Sequence, residues 1–205
     1  MNVFTFLADA AARWPDHRGL RQGDRNVDYA TAHRLARQLA WSLRARGVQP
    51  GDRVAVLMHN DLDHLLAYFG VAAAGAILVS LNTRLSVAEQ QNILRHAEAR
   101  VLLHDPAHEA RAGELRPVLG LGTLPTAQAI ADGRDDDAHL PLAASEAPAH
   151  LYYTSGTTGA PKGVVLTHRN VCTHALAAVR ELGLAANDTW AHIAPMFHLA
   201  DAWAT

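Results

Sequence analysis

Three short, largely apolar runs set the narrowest limit on how this chain can fold. They are Val54-Ala55-Val56-Leu57-Met58, the stretch 76–81 and Val101-Leu102-Leu103. Runs of this length, without polar alternation, bury both faces and mark interior strands of a parallel sheet. Each follows a segment with helical spacing. Between 29 and 46, Ala32, Leu35, Ala36, Leu39 and Leu43 fall on one helical face, with Asp28 placed to cap the start and Gly47 to stop the end. Pro50-Gly51-Asp52 then supplies a turn. The spacing predicts a second helix over about 61–74 and a third over 86–99, capped by Ser86. Three helix-then-strand units in succession predict an α/β fold: a mainly parallel sheet with flanking helices, joined by right-handed crossovers.

Composition narrows the function classes. Of 205 residues, 49% are hydrophobic and 19% charged, which supports a packed core rather than disorder. The net charge of -2 argues against a nucleic-acid binder or a polybasic membrane clamp. The first fifteen residues lack a basic region and Asp9 breaks their apolar stretch, so no signal peptide is expected. The uncharged stretch 65–81 is shorter than the roughly 20 residues of a membrane span, so no integral membrane segment is expected. Cys172 is the only cysteine and cannot form an internal disulfide, which suits a reducing, cytoplasmic setting.

Regular patterning weakens between Gly113 and Pro148. The expected organisation is an α/β subdomain over 1–132, a surface linker over 133–148 and the start of a second α/β subdomain over 149–205. Asp135-Asp136-Asp137 reads as a solvated stretch rather than a metal site. Gly120-Leu121-Gly122 has Pro125 where a dinucleotide fingerprint needs its third glycine, and is not read as one. Beyond the linker, strands are expected over 149–153 and 163–167. A helix bearing Val171, Ala175, Val179 and Leu182 follows, then a further strand over 190–194 closed by Pro195.

Between the first two of these strands lies the loop Thr154-Ser155-Gly156-Thr157-Thr158-Gly159-Ala160-Pro161-Lys162-Gly163. Glycines let backbone N–H groups face an anion, hydroxyls add short donors, and an ammonium supplies a compact mobile charge. Lys162 is the one lysine among 18 basic residues. Random placement would put it in a given ten-residue window about once in twenty tries. The loop therefore reads as a polyphosphate cradle in preference to an ordinary Gly/Ser/Thr turn. It is not a Walker A loop, because Pro161 precedes Lys162 and a strand rather than a helix follows.

The segment from Tyr153 through Val164 closely resembles the signature phosphate loop of the adenylate-forming superfamily, which includes acyl-CoA synthetases, peptide-synthetase adenylation domains and firefly-type luciferases. Gly47-Val48-Gln49-Pro50-Gly51-Asp52-Arg53-Val54, the exit Asn82-Thr83-Arg84-Leu85, Leu166-Thr167-His168-Arg169-Asn170 and Ala194-Pro195-Met196-Phe197-His198 resemble further family segments. The resemblance implies ATP, Mg2+ and a small-molecule carboxylic acid as ligands, with coenzyme A as acyl acceptor. It implies that Thr154, Ser155, Gly156, Thr157, Thr158, Gly159 and Lys162 bind the phosphates, and that His198 lies near the carboxylate and the adenylate. Phe197-His198 favours an acyl- or aryl-CoA synthetase over an amino-acid adenylation domain. An acyl-AMP ligase that loads a carrier protein, or a non-catalytic nucleotide- or partner-binding fragment, are the alternatives.

Other candidates receive ordinary readings. Pro106 between His104 and His108 spoils a helical zinc pair, and no metal ligand is assigned. His168 is read as shaping the turn into a helix, and Cys172 as a packed thiol. The family's Tyr-Gly-x-Thr-Glu segment, ribose-binding aspartate, hinge and C-terminal domain do not appear. The expectation is therefore the incomplete, N-terminal part of the large domain of a longer synthetase, inactive alone, with a tendency to self-associate through unpaired strand edges.

Overall fold

A computed structural model of the chain describes residues 1–134, 140, 142–154 and 162–202. In chain order the elements are α1 (Val3–Arg13), β1 (Leu20–Gln22), β2 (Arg25–Val27), α2 (Tyr29–Ala45), β3 (Arg53–Leu57), α3 (Leu62–Ala73), β4 (Ile77–Ser80) and α4 (Val87–His96). There follow β5 (Ala99–His104), α5 (Glu109–Leu115), β6 (Gly122–Pro125), α6 (Thr126–Ala131), β7 (Pro148–Thr154), β8 (Lys162–Thr167), α7 (His168–Glu181) and α8 (Leu199–Ala202).

Among the described residues, six strands form one sheet in the order β6-β5-β3-β4-β7-β8. All neighbours run parallel except β7 and β8, which form an antiparallel hairpin. β1 and β2 pair separately. Successive residues of β3 point to opposite layers, as strand geometry requires. Val54 and Val56 join a core with Leu39 and Leu43 of α2 and Leu66 of α3. Ala55 and Leu57 join another with Ile93 and Leu94 of α4 and Leu115 of α5. The result is an α/β/α layering, as expected.

Local chemistry sets the helix ends. Asp28 and Asp61 accept the backbone N–H of Thr31 and His64, both at 2.6 Å, and Ser86 with Glu89 forms a reciprocal capping box. Gly47, at φ 94°, adopts the left-handed conformation that ends α2. The helix expected over 86–99 stops earlier, at His96. Arg53 takes Ala97 O (2.6 Å) and Glu98 O (3.1 Å), Glu98 turns at φ 51°, and Ala99 already belongs to β5.

The stretch after Gly113 is more regular than its composition implies. β6 adds a parallel strand beside β5, with Gly122 opposite Val101, and α6 packs back onto α2. Gly120-Leu121-Gly122 is the lead into that strand. Asp135-Asp136-Asp137 lies outside the described residues. No strand forms over 190–194. Asn60 donates to His192 O (3.0 Å) and Ala194 O (2.7 Å) and accepts from Met196 N (2.8 Å), so a side-chain amide takes the place of a neighbouring strand. Among the described residues, no helix is long and apolar enough to cross a membrane.

The connections also define a crevice. β3 leads through α3 to β4 on one side of it, whereas β5, its other neighbour, leads on to β6 in the opposite direction. Such a reversal opens a gap at the carboxyl ends of the two strands.

Candidate active site

The β7–β8 hairpin presents the phosphate-loop candidates. Thr154 closes β7, Lys162 opens β8, and the two are cross-strand partners in the ladder. Both are exposed, so a hydroxyl and an ammonium stand together in solvent at the mouth of the hairpin. Ser155, Gly156, Thr157, Thr158 and Gly159 lie outside the described residues. Within β8, Gly163 faces Tyr153; a Cβ there would approach Leu151 Cδ1 to 3.0 Å and Tyr153 Cζ to 3.3 Å. The absent side chain lets the tyrosine ring lie close over the strand.

His198 lies on another segment. Its N–H donates to Pro195 O at 3.0 Å, and its carbonyl accepts from Asp201 and Ala202, both at 3.1 Å, so it forms the turn into α8. The imidazole is exposed, with its ring centroid 4.6 Å from that of Phe197, whose side chain is buried. Asp201, buried, accepts from His192 Nδ1 at 2.7 Å and ties α8 back to the preceding irregular segment.

A buried polar chain links the two segments. Tyr68 of α3 donates to Met196 O at 2.7 Å, and its oxygen lies 3.2 Å from the hydroxyl of Tyr152 on β7. Burial pushes the Tyr152 hydroxyl up to about 12 and that of Tyr68 well above its usual value, so both stay protonated at neutral pH. Tyr152 precedes Thr154 by two residues, and Met196 precedes His198 by two. The hairpin and the histidine turn are thereby anchored to one helix. Asn60, Tyr68 and Tyr152 carry no motif; their partners are 84 to 136 residues away in sequence, which leaves no local signal.

The remaining candidates take structural places. His168 is buried at the start of α7, where its Nδ1 accepts the Val3 N–H at 3.2 Å. Burial lowers its pKa to about 4, so it packs as neutral imidazole and docks α1 against α7. Cys172 is fully buried in the core, and burial raises its pKa, which suits an inert thiol. His104 Nδ1 lies 3.0 Å from Asp105 O and does not join His108.

Fold and site together describe an α/β domain whose β7–β8 hairpin carries an exposed ammonium beside a hydroxyl. The model of the AMP-binding enzyme family matches residues 7–205, and the chain belongs to that family. It is 40% identical over 223 residues to a long-chain-fatty-acid–CoA ligase of Thermus thermophilus, covering 99% of this chain and 40% of the relative. It is 38% identical over 188 residues to a feruloyl-CoA synthase of an Amycolatopsis species, covering 91% of this chain and 37% of the relative. The solved structure of Bacillus subtilis O-succinylbenzoate coenzyme A synthetase, in complex with ATP and magnesium ion, superposes with a TM-score of 0.87. Its identity is 27%, over 100% of this chain and 53% of that one. The chain thus spans about two fifths of the length of these curated relatives.

Proposed function

We propose that this chain is the N-terminal, phosphate-loop-bearing part of an ATP-dependent, AMP-forming acyl- or aryl-CoA synthetase. The observation that carries the reading is the pairing of Thr154 with Lys162 at the open end of the β7–β8 hairpin, in a chain of the AMP-binding family. The donor set fits a polyphosphate: a primary ammonium, a hydroxyl and, in the intervening sequence, further hydroxyls and glycines. Ser155, Gly156, Thr157, Thr158 and Gly159 complete the cradle, and Lys162 follows the charge of the leaving pyrophosphate as the carboxylate attacks the α-phosphorus. Mg2+ supplies further neutralisation of the phosphates. Positioning and charge stabilisation supply most of such a rate enhancement, so fixed donors matter more here than an acid or base. His198, beside the buried Phe197, orients the carboxylate and the acyl-adenylate. Coenzyme A then takes the acyl group.

The test is AMP release by the protein of the complete reading frame, with a panel of fatty and aromatic acids, with and without coenzyme A. Acid-dependent release of AMP, with turnover sustained only by coenzyme A, supports the reading. ATP hydrolysis independent of acid overturns it. The 205 residues alone are expected to show little or no acid-dependent exchange of pyrophosphate into ATP.

A further inference from the structure

The crevice between β3 and β5 holds a second group of chemistry-bearing side chains. His59 follows the end of β3 by two residues, Asp105 directly follows β5, and His108 closes the 3-10 turn after it. His108 Nδ1 lies 2.6 Å from Asp105 Oδ1, and His59 Nδ1 lies 3.4 Å from Asp105 Oδ2. The two imidazole centroids are 4.6 Å apart. One donor atom from each of the three side chains lies within 4.8 Å of the others. Asp105 is held in place by the backbone: its oxygens accept the N–H of His59 and of His108, both at 2.9 Å. Oδ1 also takes the His108 ring at 2.6 Å, so the acceptor position still open lies on Oδ2, since an ionised carboxylate offers about four in all. Around the group, His64 Nδ1 contacts His59 O at 3.1 Å and His104 Nδ1 contacts Asp105 O at 3.0 Å, fixing the backbone behind the donors.

We infer that His59, Asp105 and His108 form a binding site for one divalent transition-metal ion of the zinc type. Two imidazoles and one carboxylate match that class and not magnesium or calcium, which take oxygen donors. Bonds of about 2.0–2.2 Å place tetrahedral donors roughly 3.4 Å apart. The His59 Nδ1–Asp105 Oδ2 distance already has this value. His108 Nδ1, now hydrogen-bonded to Asp105 Oδ1 at 2.6 Å, would exchange that bond for the ion and move outward, and the His59 side chain, 67% exposed, is free to follow. Three protein donors leave a fourth position facing solvent, the arrangement of an open site. The ion would brace the β3–α3 turn. Asn60, next in the chain, holds the segment leading to His198, so the site bears on the adenylation site through one residue while sharing none of its donors.

The test is titration of the chelator-treated chain with Zn2+, followed by Co2+ as a spectroscopic probe of tetrahedral coordination. One equivalent should bind. His59→Ala should weaken binding by about tenfold or more, the scale on which even supporting groups of metal sites act. Because the His59 backbone N–H that Asp105 accepts survives the substitution, this variant keeps the fold, as circular dichroism would verify. His174→Ala, a histidine on α7, controls for the 13 histidines of the chain and should bind as the parent does. Absence of saturable binding, affinity in His59→Ala equal to that of the parent, or displacement of Zn2+ by equimolar Mg2+ would each overturn the inference.

Discussion

The hydroxyl oxygens of Tyr68 and Tyr152 lie 3.2 Å apart in the core, and the direction of their hydrogen bond follows from a proton count. Each phenol has one O–H. Tyr68 directs its own to Met196 O at 2.7 Å, so Tyr152 is the donor to Tyr68. The chain Tyr152 to Tyr68 to Met196 therefore runs one way, from β7, through helix α3, to the turn that carries His198.

Removing the middle member leaves a buried carbonyl without its donor. Tyr68→Phe is expected to lower stability by about 1–3 kcal/mol, the cost of an unsatisfied buried group. Tyr152→Phe strips a donor from an oxygen that still donates elsewhere, and should cost less. Urea unfolding of the two variants checks the order; a larger loss in Tyr152→Phe contradicts the direction of the chain.

Asn60 makes three hydrogen bonds to the segment before His198, and no other side chain among the described residues bonds to that backbone more than once. Asn60→Ala should loosen the segment while leaving Thr154 and Lys162 in their ladder. In the complete enzyme the expected result is a fall in kcat for adenylation of roughly tenfold, with the KM for ATP little changed. The magnitude reflects mispositioning rather than lost chemistry. A rise in the KM for ATP alone would show that Asn60 serves the nucleotide instead.

Much of the fold was legible because its causes are local. Asp28, Asp61 and Ser86 cap helices three residues away, and uninterrupted apolar runs announce β3, β4 and β5. The short β6 was hidden: Gly122-Thr123-Leu124-Pro125 offers glycine and proline where a strand is least expected, and only pairing with β5 makes it one. Residues 190–194 misled in the opposite sense. Their apolar character suits a strand, but their backbone is satisfied by a carboxamide some 130 residues earlier, which composition does not reveal. Likewise, the crowding of hydroxyls, glycines and one lysine makes the candidate phosphate loop stand out in the sequence, whereas Tyr68 and Tyr152, which hold β7 to α3, look like any core aromatics.

Lys162 opens β8 with its ammonium in solvent. If it follows a phosphate that changes geometry during reaction, a compact mobile charge should serve better than a planar guanidinium. Lys162→Arg is expected to slow adenylation several-fold with formal charge retained, and Lys162→Ala more. Stopped-flow or pyrophosphate-release kinetics in the complete enzyme provide the measurement; unchanged rates in Lys162→Arg would detach the residue from the reaction.

β8 is an edge strand among the described residues, with Val164 44% and Val165 54% exposed. An apolar edge of this kind favours pairing between copies. The 205-residue chain should self-associate at high concentration, and Val165→Lys should reduce the association seen by light scattering. A monodisperse monomer in the parent would remove the premise.

Three buried histidines make stability depend on pH with a definite sign. Burial lowers His64 to about 4 and His168 to about 4; burial, with a smaller contribution from the nearby His168, lowers His150 to about 3. Unfolded histidine titrates near 6.5. Between these values the unfolded chain binds protons that the folded chain refuses, so stability is full above about pH 6.5 and falls as pH drops toward 4. The slope reaches at most about 1.4 kcal/mol per pH unit for each group. His150 stands out because its Nε2 has no hydrogen-bond partner among the described residues and its ring stands nearly perpendicular to those of Tyr68 and Tyr152. His150→Phe keeps an aromatic ring there and removes the proton acceptor. Denaturant midpoints measured from pH 4 to 8 should show a shallower fall in His150→Phe than in the parent, with the two curves closest above pH 7. Parallel curves across the whole range would mean that His150 does not titrate differently on unfolding.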